Sequence, residues 1–375
     1  MDKSTKKIIY FTNTFPIYRR ELWLKLLTSK KINFNIYFSK KMHQKIELAS
    51  IENMCRKIKK RKLYFLKNFS INSHIIFQSK IISVLMFKSY DTIILLGDMK
   101  ILSNWIGILI CKIRRKKIIF WTHGIYGNEK GIKKKIRLFF LSLADQLFLY
   151  ENRAKEILIK NNFIEDNIKV VFNSINLKEQ TAVYNKLSKK NFELKKSKQH
   201  KLIFIGRLTK IKKIDLLIPA LANLNQTSIC YLLKIVGNGP EKQNLEALVK
   251  KYDAQQYVEF VEATYDESEI GKLFLEADLM VSPGNVGLNS IHSLSYGTPV
   301  LTHNNFKNQM PEHESIICNF NGCFHKENDS LSIVEKVQEW FSLYHNKFSR
   351  NEIRQKLIEK YNPIVQLQIF EKELK

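Results

Sequence analysis

The sequence predicts an α/β protein built on two doubly wound parallel sheets, and three features carry that prediction. Short apolar runs alternate with amphipathic stretches along most of the chain, as expected of strands covered on both faces by crossover helices. The alternation lapses once, in a polar lysine-rich run after Tyr184, and then resumes. Within the second series, residues 280–299 (MVSPGNVGLNSIHSLSYGTP) read as strand, glycine turn, helix and next strand, the βαβ unit of a parallel sheet.

Taken in order, the first series opens with a strand at 8–11, a turn at 12–16 and an amphipathic helix to about residue 27. Strands follow at 34–38, 91–96, 117–121, 146–150 and 169–172, with helical stretches between them. The run NKLSKKNFELKKSKQHK has no apolar period and serves as the linker, placed at 186–200. The second series has strands at 202–205, 230–236, 258–261, 279–281 and 300–301. The expected domains are therefore 1–185 and 201–352, with a cleft between them as the usual place for a ligand. Residues 348–375 have a helical pattern, which Pro363 interrupts.

The chain of 375 residues is large enough for two cores, and its formal net charge is +27. Such an excess implies an anionic partner: nucleic acid, a phosphorylated ligand or an anionic membrane surface. A general lysine bias on solvated faces accounts for much of it. Two stretches concentrate the charge, at 56–63 (RKIKKRKL) and 130–137 (KGIKKKIR), and Ile132, Ile136, Leu138, Phe139 and Phe140 interleave with the second. A basic helix with an apolar face lies well on a membrane surface. No nucleic acid is expected, because no helix-turn-helix, zinc or RNA-binding signature accompanies the charge. Lys3, Lys6 and Lys7 precede only a short apolar run that reads as the first strand, so no secretory leader is expected. The most apolar segment, 92–111, carries Asp98 and Lys100 and does not read as a membrane span. The cysteines at 55, 111, 230, 318 and 323 are scattered, as expected of reduced thiols in a cytoplasmic protein, and Cys318 and Cys323 form no metal knuckle.

Three glycine turns follow strands of the second series. Gly206 and Arg207 stand just past the first strand and Lys212 follows near the next helix, while Gly237 and Gly239 follow the second strand. Gly287 and Leu288 open the helix of the βαβ unit. Backbone N–H groups at a helix start favour an anion, commonly a phosphate, and an arginine with a lysine makes a diphosphate clamp. Each turn alone is equally an ordinary βα turn, and Arg207 with Lys212 alone reads as a solvated loop. His123 alone reads as a strand-end histidine satisfied within the fold, and Tyr18 with Arg19 as either an acceptor contact or the start of a surface helix.

Together these motifs resemble the retaining glycosyltransferases of family 4, which have the GT-B fold of two Rossmann-like domains facing a central cleft. The resemblance rests on GRLTKIKKIDLL (206–217), VGNGPE (236–241), EADLMVSP (276–283) and GLNSIHSLSYGTPV (287–300), with FWTHG (120–124) and VVFNSIN (170–176) in the first domain. It covers most of the chain and is strongest over 202–325. It implies that Arg207 and Lys212 hold the diphosphate of a nucleotide-sugar donor and neutralise the leaving charge, helped by the amides of Gly287 and Leu288. It implies no cofactor and no metal. His123 would touch the sugar across the cleft, and residues 353–375 would cross back to the first domain.

The sequence departs from the family at instructive places. The family usually carries two glutamates around this loop, one against the sugar and one on the ribose; aligned on GTPV, they fall at Gly284 and His292. His292 retains the ability to hydrogen-bond a ribose hydroxyl. Lys213 stands where the family has glycine, and 15–19 (FPIYR) replaces a glycine-rich loop, with Tyr18 and Arg19 the acceptor-side candidates. The altered pattern PGNVGL, THNNF and QMPE resembles a subset associated with bacterial O-antigen and capsule assembly, and in it Glu312 is a candidate to replace a missing carboxylate. The resemblance implies transfer of a sugar to a polyisoprenyl-diphosphate-linked saccharide by a cytoplasmic enzyme peripheral on the inner face of the plasma membrane. The alternative is an inactive nucleotide-sugar-binding relative acting as sensor or scaffold.

Overall fold

The computed structural model describes residues 5–39, 62–71, 75–189 and 199–375. The chain divides into two compact units, one running to Ser174 and taking back Asn362–Lys375, the other comprising Ile175–Tyr361.

The first unit is built on strands β1 (Lys7–Phe11), β2 (Asn33–Ser39), β3 (Leu63–Leu66), β6 (Thr92–Leu96), β7 (Lys117–Thr122), β8 (Gln146–Leu149) and β9 (Ile168–Val170); a hairpin, β4 (Asn68–Ile71) with β5 (Ile75–Gln78), stands apart from them. The seven strands form one sheet in the order β3-β2-β1-β6-β7-β8-β9, every pair parallel. Successive residues enter opposite cores: Ile9, Ile93, Ile118 and Phe120 lie in one, and Ile8, Ile94, Ile119 and Trp121 in the other. This two-sided burial is why the strands are apolar throughout instead of alternating. Helices α1 (Arg20–Thr28), α2 (Ile81–Phe87), α3 (Leu102–Ile113), α4 (Gly131–Ser142) and α5 (Asn152–Ile159) connect the strands.

The second unit begins with α6 (Leu177–Ser188) and continues through β10 (Gln199–Ile205), α7 (Leu217–Leu224), β11 (Cys230–Val236), α8 (Lys242–Lys251), β12 (Val258–Val261), α9 (Glu267–Glu276), β13 (Leu279–Ser282), α10 (Leu288–Ser295), β14 (Val300–His303), β15 (Gly322–His325), α11 (Ser330–Leu343) and α12 (Arg350–Ile358). Its parallel sheet runs β12-β11-β10-β13-β14-β15. The order reverses between β10 and β13, and in open α/β sheets ligands bind beyond the strand ends at such a point. The unit's main core packs Phe204, Leu233, Ile235 and Val281 against α7 and α11, with Trp340 buried among them.

The doubly wound, two-sheet expectation holds, with differences at the seams. The first unit ends at Ser174 because α6 packs on α9 and α10 of the second unit. The linker proposed at 186–200 lies largely outside the described residues, and so does the basic stretch at 56–63 except Lys62 and Leu63. Pro363 starts a helix instead of breaking one: it opens α13 (Pro363–Leu374), where the Asn362 side chain accepts from the Ile364 N–H at 2.9 Å. A proline at this position forfeits no intrahelical bond. The α13 helix belongs to the first unit and seats Phe370 against Trp121 and Phe148 at ring distances of 5.0 and 5.1 Å. Among the described residues no helix is long and apolar enough to cross a membrane.

Candidate functional site

In the second unit, the turns after β10 and β11 are laced backbone to backbone. The Gly206 N–H donates to the Val236 carbonyl at 3.0 Å, Leu208 N–H to Asn238 at 3.0 Å and Glu241 N–H to Leu208 at 3.1 Å. A Cβ on Gly237 would stand 2.0 Å from the Gly206 oxygen, and one on Gly239 2.3 Å from the Leu208 oxygen. The two sequence motifs are therefore one structure, held too close for side chains.

The turn after β13 closes on the Lys212 segment. Gly284 N–H donates to the Lys212 carbonyl at 2.9 Å. A Cβ at Gly284 would lie 2.1 Å from the Ile211 oxygen and 2.6 Å from the Lys212 carbonyl carbon, so no carboxylate fits there. Lys212 Nζ donates to the Asn285 carbonyl at 2.7 Å and to Asn285 Oδ1 at 3.0 Å. Its partial burial lowers the lysine pKa, and the charge of Glu312 opposes that fall. The neighbouring Lys213 has left-handed backbone (φ 49°) and pairs with Glu327 at 2.6 Å. Burial works against the Glu327 charge, but Lys213, Asn305 and Asn308 outweigh it and hold the carboxyl at about 2.

The loop carrying QMPE braces this turn from behind. Gln309 Oε1 accepts from the Val286 N–H at 3.0 Å, and its Nε2 donates to Thr302 Oγ1 at 2.9 Å and to the His303 carbonyl at 3.1 Å. Glu312 is 2% exposed, and its carbonyl accepts from Ser290 Oγ at 2.9 Å and Ser315 Oγ at 2.7 Å. Glu312 thus meets α10 through its backbone and acts on Lys212 through its charge.

Gly287 caps α10 with φ +56° and ψ −150°, a conformation that a side chain strongly disfavours. The first N–H groups of α10, beginning at Leu288, have no partner inside the helix and carry its positive end. Asn289, one residue on, ties the helix start to the first turn by donating to the Ile205 carbonyl. His292 turns toward α9: its Nε2 lies 2.8 Å from Glu267 Oε1, which also accepts from the Tyr296 hydroxyl at 2.6 Å. Arg207 is exposed, and among the described residues its guanidinium has no hydrogen-bond or ion-pair partner.

The structure thus gathers Gly206, Gly237, Gly239, Lys212, Gly287, Leu288 and Glu312 around the sheet's switch point, with Arg207 on its exposed rim. Asn285, Gln309 and Glu267 were not anticipated. Their partners are 73, 23 and 25 residues away, so no local spacing signals them.

The first unit has its own cluster at the ends of β7, β8 and β9. Arg19 stands at the start of α1 but not on the surface: it is 5% exposed, with its guanidinium 4.9 Å from the ring centres of both Trp121 and Tyr150. Its Nε donates to Asn173 Oδ1 at 2.9 Å. A guanidinium is weakly hydrated and stacks on aromatic faces, which makes this burial tolerable. Tyr18 beside it is exposed. His123 packs against Tyr150 and Tyr126, with ring distances of 4.6 and 5.7 Å, and its Nδ1 is buried with no hydrogen-bond partner among the described residues. Burial, then the charges of Arg19 and Arg137, push its pKa from 6.5 down to about 4. At neutral pH His123 is an uncharged imidazole, offering one donor and one acceptor.

Comparison with known proteins agrees with this fold. Residues 185–360 match the family described as glycosyl transferases group 1. The chain is similar to the amylovoran biosynthesis glycosyltransferase AmsD of Erwinia amylovora, 25% identical over 170 residues, which is 44% of this chain and 45% of that one. It spans less than half the length of the curated relatives it matches. Among solved structures, the lipopolysaccharide outer core galactosyltransferase WaaB in its apo form superposes with a TM-score of 0.73 at 17% identity, covering 97% of this chain and 98% of that one. Anabaena Alr3699/HepE in complex with UDP superposes with a TM-score of 0.68 at 14% identity, covering 99% of both chains. Residues 185–360 are thus a glycosyl transferases group 1 domain, within a chain that has the GT-B fold.

Proposed function

We propose that this chain is a glycosyltransferase that moves a sugar from a nucleoside-diphosphate sugar to a lipid-linked saccharide in bacterial surface polysaccharide assembly, with retention of anomeric configuration. The observation that carries the reading is the cradle at the switch point, where the start of α10 and the half-buried Lys212 flank the turn at Gly284 and Arg207 stands exposed just past β10. Such a cradle suits a diphosphate. The UDP bound by the HepE structures makes UDP-sugars the first donors to try. The polysaccharide role of AmsD, and the resemblance to the O-antigen and capsule subset of family 4, support the acceptor class.

In this reading the bond from the anomeric carbon to the β-phosphate oxygen breaks, and its electron pair leaves with the diphosphate. Lys212, Arg207 and the α10 amides stabilise that charge. The acceptor hydroxyl attacks the resulting oxocarbenium-like carbon on the same face and gives its proton to the departing phosphate oxygen. Neutral His123 donates or accepts a hydrogen bond at the sugar without adding positive charge beside the forming cation. Glu312, beside Lys212, supplies the carboxylate that Gly284 cannot. The enzyme works at the inner face of the plasma membrane and needs no metal.

A second reading, an inactive nucleotide-sugar binder, is favoured by one observation: the backbone at 211–212 excludes a side chain at Gly284. Thermal shifts of wild type and Arg207→Ala with UDP, GDP, dTDP and CMP derivatives test donor binding, since a ligand of the folded state raises its stability. A shift with one diphosphate that the variant loses supports the cradle; no shift with any of them removes both readings. Turnover of the bound nucleotide sugar with a polyisoprenyl-diphosphate saccharide then separates enzyme from binder.

A further inference from the structure

We propose that α3 and α4 together form a docking face for an anionic lipid bilayer. The inward side of α3 is buried at Ser103, Asn104, Gly107, Ile108 and Cys111, so its outward side is expected to be polar. Instead Leu102, Ile106, Leu109 and Ile113 recur there at helical spacing and are 42, 41, 60 and 73% exposed. The surface continues on α4, where Ile132, Ile136 and Phe139 are 75, 46 and 60% exposed. Trp105 of α3 joins the two helices, its ring 6.4 Å from that of Phe139 and 4.8 Å from that of Phe140. An apolar surface shared by two neighbouring helices marks an interaction site.

Charge selects the occupant. Neither helix contains an aspartate or glutamate, and Lys133 and Lys135 on α4 with Lys112 and Arg115 at the end of α3 are exposed around the apolar side chains. Apolar residues fringed by cations suit acyl chains under anionic headgroups. A second copy of a chain with net charge +27 would be repelled from the same face. Composition alone pointed to α4; the exposed row on α3 enlarges that surface.

The face is also tied to the candidate site. Arg137 of α4 donates from Nε to the Gly124 carbonyl at 2.7 Å and pairs with Glu129 at 3.4 Å. Glu129 in turn accepts from the N–H groups of Tyr126 and Gly127 at 3.1 and 2.9 Å. The helix on the bilayer thus braces the loop that follows His123. That a lipid-linked acceptor profits from this seat rests on the function proposed above; the docking itself does not.

The test is co-sedimentation of the full chain with vesicles of phosphatidylcholine alone or mixed with phosphatidylglycerol, for wild type and the double variant Leu109→Glu, Ile113→Glu. Wild type is expected on the mixed vesicles only, with salt weakening the binding. The variant should lose about tenfold or more of that binding while keeping the wild-type circular dichroism and UDP thermal shift. Equal binding by the variant, or equal wild-type binding to neutral vesicles, overturns the proposal. So does a wild-type dimer in solution that the variant dissolves, which assigns the face to a second copy. Vesicle binding without any nucleotide shift leaves the docking face standing and removes the donor reading.

Discussion

Gly284 and Ile211 approach so closely that a Cβ on the glycine would stand 2.1 Å from the isoleucine carbonyl oxygen. Gly284→Glu is therefore not expected to restore the family's carboxylate. It should destabilise the second unit by about 3 kcal/mol or more, because the obstruction is backbone and cannot rotate away. Urea denaturation measures the loss. A stable Gly284→Glu protein with improved turnover would show that the turn opens readily.

Lys212 is a half-buried cation that already has two acceptors on Asn285. Lys212→Met should cost little stability, since it removes a desolvation penalty along with those bonds. UDP affinity should fall by about 10- to 100-fold, the loss of one charge-assisted contact. Calorimetric titration with UDP separates the two effects.

Glu312 acts on Lys212 through its charge, raising a lysine pKa that burial lowers. In Glu312→Gln that support is gone, so Lys212 should lose its proton at lower pH. The alkaline limb of UDP binding should move to lower pH relative to wild type. A profile of dissociation constant against pH shows it, and an unmoved limb with unchanged turnover would remove Glu312 from the site.

His123 titrates near 4 in the folded chain against an ordinary value of 6.5. The unfolded chain takes up the extra proton first, so this contribution to stability is complete above about pH 6.5. It is lost as pH falls toward 4, by about 3 kcal/mol. Arg19→Met removes a neighbouring positive charge and should raise the His123 pKa. An NMR titration of the imidazole reads the shift directly.

Local features were legible in the sequence, and pairings were not. Gly206, Gly237, Gly239 and Gly287 each follow a strand in a pattern visible within a few residues, and all four stand at the switch point. Gly284 was read as a missing carboxylate on alignment; what excludes one, the backbone oxygen of Ile211, is remote in sequence. Arg19 was left open between an acceptor contact and the start of a surface helix, because the aromatic faces that shelter it come from Trp121 and Tyr150, far along the chain. His292 was assigned to the donor on alignment, yet its nearest partner is Glu267, brought in by packing of α9 on α10. The strand at 91–96 and the helix after it were both legible in the segment 92–111, but not that this helix is apolar on both its buried and its exposed sides.

The return of α13 to the first unit has a bearing on how the chain is made. Phe370 fills a space among Phe34, Trp121 and Phe148, at ring distances of 6.4, 5.0 and 5.1 Å. The ribosome must therefore complete all of Ile175–Tyr361 before the helix that finishes the earlier sheet emerges. The second unit, contiguous in sequence, is free to close first, while the strand bearing Trp121 waits with an open flank. Completion of the first unit therefore waits on the end of the chain, and the residues just upstream of His123 are among the last to be sealed.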